Sequence, residues 1–328
     1  MPLPGDLLGG RYRLADRIAA GGMGEVWRAT DTVLERAVAV KVLRAGASAE
    51  STFRRRFAHE ARVMAALRHP GVAAVYDYGT TDDGAYLVMA RIDGQSLERL
   101  LAERGRLSAA ETGVIVAQAA WALQAAHQAG IVHRDVTPGN LIIEPDGNVV
   151  LVDFGVARSA ASETLTGARN VVGTACYMAP EQVSKRVIGP AADLYALGAV
   201  AYHCLVGQPP FTGDDAVAVA LRHVRERPPP LPAGVPPRLQ RLVARALAKD
   251  PADRHPSAAA LARDAERVGG GPGLLASDPV TVALPPFEAH AGMFRRRLWL
   301  VAGVTAAALL IGAATAAIID PFGWLNAL

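Results

Sequence analysis

The sequence predicts an α+β protein of two lobes: a small β-rich lobe crossed by one helix, then a larger helical lobe, with one apolar helix set apart towards the C-terminus. Three observations carry this. Between Arg11 and Val42, short β-branched stretches alternate with charges and glycine breaks, the pattern of a meander. In the second lobe, Ser96 to Glu103, Ser108 to Gly130, Leu239 to Leu247 and Ala258 to Val268 are helical in pattern. Leu298 to Ile319 is a run of 22 residues without a charge.

The elements follow in order. Tyr12 and Leu14 alternate with charges, Val26 and Trp27 follow a glycine cluster, and Ala37 to Val42 is small and β-branched, giving three strands. Phe53, Phe57, Glu60, Ala61, Met64 and Leu67 then share a helical period that His69-Pro70 ends. Val72 to Tyr78 and Ala85 to Ile92 read as two more strands around Asp82-Asp83-Gly84, and Asp93-Gly94 breaks the pattern. Residues 1–92 are therefore expected to form the first lobe and 93–268 the second. Ser96 to Glu103 and Ser108 to Gly130 are helical. The latter opens with Ser108 as N-cap and Glu111 at capping-box spacing. Helices are also expected over Leu239 to Leu247 and Ala258 to Val268, with a proline-rich internal loop from Pro228 to Pro237 before them. Residues 269–297 read as a linker, rich in glycine and proline at its start.

Composition excludes several classes. The 328 residues are 51% hydrophobic, too apolar for a disordered chain, and a formal charge of +3 gives no reason to expect a nucleic-acid partner. Cys176 and Cys204 lack the paired spacing of zinc or redox sites and read as reduced and buried. The N-terminus has no basic segment followed by an apolar run, so the bulk of the chain is expected in the cytoplasm. No period of about 20 to 50 residues repeats, which sets solenoids aside.

The chemistry sits in a few short motifs. Ile18-Ala19-Ala20-Gly21-Gly22-Met23-Gly24-Glu25-Val26 is a glycine-rich turn between strands, where missing Cβ atoms let backbone amides approach phosphate oxygens. Taken alone it is equally a structural hairpin. Lys41, in Ala39-Val40-Lys41, places an ammonium on the next strand, and Glu60 on the following helix can hold it; each alone reads as solvated surface. The decisive run is His133-Arg134-Asp135-Val136-Thr137-Pro138-Gly139-Asn140, then Asp153-Phe154-Gly155, then Ala179-Pro180-Glu181. Turn chemistry alone explains an Asp at 135 or 153 but not this order of neighbours.

With these motifs the chain resembles a eukaryotic-type Ser/Thr protein kinase, of the bacterial receptor-like group found in actinobacteria, over roughly Arg11 to Val268. The resemblance implies the bilobal protein-kinase fold, ATP as phosphoryl donor and Mg2+, or Mn2+ in its place, as cofactor. It implies that Asp135 accepts the substrate hydroxyl proton, that Lys41 and Glu60 complete the catalytic set, and that Asn140 and Asp153 hold the metal. Ile18, Gly21, Gly22, Met23 and Gly24 would cover the phosphates. Val26, Ala39 and Ile142 would enclose the adenine, with Met89 behind it and the backbone near Arg91 and Ile92 at its edge. Arg134 implies activation by phosphorylation of the loop after Asp153, and Thr164 and Thr166 are the expected acceptors. Thr174 is expected to bond the catalytic aspartate, Asp193 to anchor the catalytic loop, and Arg254 to pair with Glu181.

The pattern departs from the family in three places. Thr137 stands where the family usually has lysine, a cation near the γ-phosphate, and its loss is expected to cost on the order of a hundredfold in rate. Ala19 replaces the first loop glycine, and Ala90 a frequent acidic residue. The last segment, 298–319, is long enough to span a bilayer of about 30 Å. Arg295-Arg296-Arg297 before it puts the kinase side in the cytoplasm, leaving residues 320–328 outside. The expected protein is thus a single-pass kinase in the plasma membrane. It acts on Ser or Thr of cytoplasmic proteins and on its own activation loop in membrane-linked signalling, and Gly303, Ala307, Gly312 and Ala316 allow self-association. The alternative is a nucleotide-binding pseudokinase serving as a membrane scaffold.

Overall fold

The computed structural model describes residues 2–21, 24–43, 51–81, 84–154, 170–184 and 186–269. Gly22, Met23, Thr164, Thr166 and the apolar run 298–319 lie outside these. Among the described residues no helix is long and apolar enough to cross a membrane.

The fold is bilobal. Strands β1 (Leu7–Leu8), β2 (Tyr12–Gly21), β3 (Gly24–Asp31), β4 (Arg36–Leu43), β5 (Val75–Thr81) and β6 (Gly84–Ala90) form one antiparallel sheet in the order β1-β2-β3-β4-β6-β5. Helix α1 (Ser51–Ala66) buries Phe57, Ala61 and Met64, spaced to lie on one face, in the same core as Leu87 and Met89 of β6. Arg11 fixes the far edge, donating from Nε and Nη2 to the two carboxylate oxygens of Asp31 at 2.7 Å each. That pairing holds the Asp31 carboxyl down at about 2.

The second lobe contains β7 (Gln95–Ser96), α2 (Leu97–Arg104), α3 (Ala109–Gln128), β8 (Leu141–Ile143), β9 (Val149–Leu151), α4 (Asn170–Ala175), α5 (Pro180–Val183), α6 (Pro190–Val206), α7 (Ala216–Arg225), α8 (Pro237–Ala246) and α9 (Ala258–Gly269). Strands β7, β8 and β9 make a small second sheet. The capping box at α3 forms as expected: Ser108 Oγ accepts from the Glu111 amide at 3.2 Å, and Glu111 Oε2 accepts from the Ser108 amide at 2.9 Å.

Several expectations need adjustment. The sheet has an additional strand at Leu7–Leu8. The strand expected from Val72 starts at Val75, because Val72 bridges in parallel to Leu151 of the second lobe. The strand expected to reach Ile92 stops at Ala90, and Gly84 belongs to that strand, paired with Thr81, rather than to a turn. Helices α6 and α7 are not among the expected elements. From Ala192 to Tyr202 every residue of α6 is buried, and a helix apolar on all sides has no amphipathic stripe to read. Neither cysteine forms a disulfide, and both are buried.

His223 of α7 couples this core to pH. Its Nδ1 lies 2.9 Å from the Tyr195 hydroxyl, and its ring meets Phe211 edge-on at 4.8 Å. Burial, then the charges of Lys249 and Arg222, push its pKa down to about 4. A lowered folded-state pKa means the neutral imidazole is the stabilising form. Its contribution is complete above the unfolded value of about 6.5 and is lost as the pH falls towards about 4. Urea titrations at pH 7 and pH 5 should show the loss, and His223→Phe should flatten the slope between them; an unchanged slope contradicts the assignment.

Candidate active site

The cleft between the lobes is built from both sheets. On the upper side, β4 pairs with β3 and β6 so that Val26 stands opposite Lys41 and Ala39 opposite Met89. Ala39 and Met89 are buried, Val26 is half-buried, and Ile18 is 52% exposed at the rim. Gly21 and Gly24 face each other where β2 and β3 meet. Gly24 has φ +153°, and a Cβ there would lie 2.0 Å from the Val42 carbonyl oxygen, so sheet packing requires this glycine whatever else it contacts. On the lower side, Ile142 of β8 is half-buried opposite Val150 and Ser96. Ile92 follows β6 in the connection between lobes, where Gly94 lets the backbone pass close to β8: a Cβ would sit 2.4 Å from the Ile143 carbonyl oxygen.

Lys41 reaches across this cleft. Its Nζ is 3.0 Å from Asp153 Oδ1, with the two side chains only 16% and 25% exposed. Asp153 adopts φ +61°, a left-handed conformation uncommon for a non-glycine residue, and Phe154 beside it is buried against His133 with ring centroids 4.4 Å apart. The strained turn therefore points the carboxylate at Lys41 while the phenyl ring goes into the core. Glu60 sits half-buried on α1.

The loop carrying Asp135 is pinned from below. Asp193 of α6, 1% exposed, accepts from the amides of His133 at 2.8 Å and Arg134 at 2.7 Å, and its Oδ2 lies 2.8 Å from His127 Nε2. These bonds hold Arg134 at φ +64°, and Gln182 Nε2 donates to its carbonyl at 3.0 Å. The Asp135 amide donates to His133 Nδ1 at 3.2 Å, so the proton of the neutral imidazole sits on Nε2, 3.0 Å from the Val152 carbonyl. Burial lowers the His133 pKa and favours that neutral form. Asn140 Nδ2 donates to the Asp135 carbonyl at 2.8 Å and lies 3.5 Å from its Oδ2. The Asn140 amide oxygen has no hydrogen-bond partner among the described residues.

Asp135, Thr137 and Thr174 line one small cavity with Tyr177, so the threonine in place of lysine lies beside Asp135. Further along, Arg254 and Glu181 form the expected buried pair at 2.6 and 2.8 Å. Sequence reasoning missed His127 and Gln182. His127 is 66 residues from its partner Asp193 and on a helix whose period marks only its buried face, so no local spacing signals it.

A cleft with a lysine from the β-rich lobe, two aspartates and an asparagine from the helical lobe, and a loop anchored by a buried aspartate is that of a protein kinase. Residues 12–264 match the family described as protein kinase domain, and the chain belongs to it, in the bacterial eukaryotic-type Ser/Thr group. Among curated relatives it is 47% identical over 261 residues to serine/threonine-protein kinase PknA of Mycobacterium tuberculosis (strain ATCC 25618 / H37Rv), covering 78% of this chain and 61% of that protein. To serine/threonine-protein kinase PknB of Mycobacterium leprae it is 43% identical over 272 residues, covering 80% of this chain and 44% of that one. The chain thus spans less than two thirds of these two relatives. Among solved structures it is similar to the Mycobacterium tuberculosis PknI kinase domain, with a TM-score of 0.65 and 30% identity, covering 81% of this chain and 99% of that one.

Proposed function

We propose that this chain transfers the γ-phosphoryl group of ATP to Ser or Thr hydroxyls of cytoplasmic proteins, including its own activation loop, while anchored in the plasma membrane by residues 298–319. The observation that carries the catalytic part is the Lys41–Asp153 pair at 3.0 Å, facing a loop in which Asn140 holds the Asp135 backbone. A cation for phosphate oxygens and a carboxylate for a proton are thereby present on opposite walls of one cleft.

In this reading Asp135 accepts the proton of the attacking hydroxyl as its oxygen bonds to the γ-phosphorus and the bond to the β–γ bridging oxygen breaks. Lys41 holds the α and β phosphates, with Glu60 steadying it. Ile18 and the glycine turn 21–24 cover the phosphates, and Val26, Ala39, Met89, Ile92 and Ile142 enclose the base. Protein kinases use a divalent metal with ATP. The oxygens of Asp153 and Asn140 fit Mg2+, which takes one or two protein oxygens together with substrate phosphates. When bound it neutralises charge on the transferring group. The membrane part rests on the uncharged run 298–319 and the arginines before it. Close self-association through its small residues would raise trans-phosphorylation of Thr164 and Thr166.

The scaffold reading is favoured by one feature, Thr137, whose hydroxyl cannot supply the charge of a lysine. Against it stands the anchored geometry of Asp135 and Asn140. Assays of the chain with ATP and Mg2+ on Ser, Thr and Tyr peptides separate the two. Labelling of Ser or Thr but not Tyr is expected, and Thr137→Lys should raise the rate, by up to about a hundredfold for a full buried-cation effect. No transfer to any peptide, with or without the added lysine, contradicts catalysis.

A further inference from the structure

Beside the packed face of α8, a cavity of about 530 Å³ is lined by Arg238, Arg241, Leu242, Arg245, His255, Asp264 and Arg267. It shares no residue with the catalytic cleft. Four guanidiniums face one carboxylate. That carboxylate is engaged, since Arg267 Nη1 binds Asp264 Oδ1 at 2.5 Å and His255 Nε2 lies 3.5 Å from Oδ2. Arg238, Arg241 and Arg245 have no ion-pair or hydrogen-bond partner among the described residues. His255 is 3% exposed and its buried Nδ1 has no hydrogen-bond partner among the described residues.

This arrangement opposes the helix that carries it. Arginines at 238, 241 and 245 are three and four residues apart, where like charges repel across a turn. Arg238 also lies in the first turn of α8, which contains no acidic residue, so its charge opposes the positive end of the helix dipole. A solvated basic face would spread such charges or pair them with carboxylates. Here Arg238, Arg241 and Arg245 run along a ten-residue helix and line one concavity together with Arg267, which suits an anion carrying a phosphate.

We propose that this arginine cavity docks the kinase domain onto the membrane by binding the phosphate of an anionic lipid headgroup, an inference that rests on the membrane anchor proposed above. Two observations select a lipid over other phosphates. Arg267 is two residues in sequence from Gly269, the end of the last described helix, after which the expected linker to residues 298–319 follows. Three further arginines, 295–297, directly precede the apolar run, so the same leaflet would meet basic charge at both ends of the linker. Docking there would orient the cleft relative to the membrane and limit which substrates reach it.

The test uses the full chain in lipid nanodiscs of zwitterionic lipid alone or with phosphatidylglycerol, reading hydrogen exchange over 237–246 and 258–269. Exchange should slow in the anionic discs only. Arg238→Gln with Arg241→Gln should abolish the difference, since each arginine near an anionic surface contributes about fivefold in affinity. Kinase activity of that variant in detergent should match the parent, which shows that it folds. Equal exchange in both discs overturns the proposal. Stronger protection by a phosphothreonine peptide than by the anionic lipid assigns the cavity to a phosphorylated protein and also overturns it. A chain that enters neither disc contradicts the anchor itself, and flotation of that chain with phosphatidylglycerol vesicles then reads the cavity alone, with absence of Arg238- and Arg241-dependent flotation overturning the docking.

Discussion

Asp135→Asn lowers phosphate transfer to a Ser or Thr peptide by about 10²- to 10⁴-fold, the range expected for loss of a positioned general base. The substitution keeps the shape of the side chain. It also leaves the bonds from the Asp135 amide to His133 Nδ1 and from Asn140 Nδ2 to the Asp135 carbonyl, because both use backbone atoms of residue 135. The Lys41–Asp153 pair on the other wall is untouched, so ATP affinity should stay near that of the parent while the rate falls. Steady-state kinetics and nucleotide titration, read together, check this. Parallel loss of binding and rate would point to a collapsed loop, and unchanged labelling would remove Asp135 from the mechanism.

The largest stability effect is expected at Glu181→Ala. Arg254 has a fully buried side chain, and all five of its N–H groups are used: two on Glu181 at 2.6 and 2.8 Å, and the rest on the carbonyls of Ala248, Ala191 and Lys249 at 2.8, 2.8 and 3.1 Å. Removing the carboxylate leaves a buried charge without its counter-ion, which costs roughly 3–5 kcal/mol. That is a large part of the about 5–15 kcal/mol by which a domain is stable. The urea midpoint should fall accordingly. The double variant E181L/R254M should recover much of the loss, because it removes both charges together. A small effect of Glu181→Ala alone would show that water or another group compensates Arg254.

The legible parts of this protein are those where chemistry or a local bond dictates residue type. The run from His133 to Asn140 and the Asp153 turn could be read because their residues and order resemble the motifs of the protein-kinase family. The α3 cap could be read because Ser108 and Glu111 bond each other across three residues. What stayed hidden depends on distant partners. His127 is defined only by Asp193, and α6 is too uniformly apolar to show a period. The Arg254–Glu181 pair was expected, but the three carbonyls that also accept from Arg254 carry no sequence signature. Gly24 was legible as a glycine of a phosphate turn, yet its packing against the Val42 carbonyl appears only once β3 and β4 are paired. The arginine cavity joins α8 to residues from a later turn and a later helix, so its members do not form a charge run in the chain.

The measurement that bears most directly on the central claim is phosphosite mapping of the full chain after incubation with ATP and Mg2+, beside Asp135→Asn. An autoactivating kinase places phosphate on Thr164 or Thr166 in the parent protein and not in the variant. A parent protein that binds ATP but remains unmodified, and that leaves Ser and Thr peptides unlabelled, would contradict catalysis.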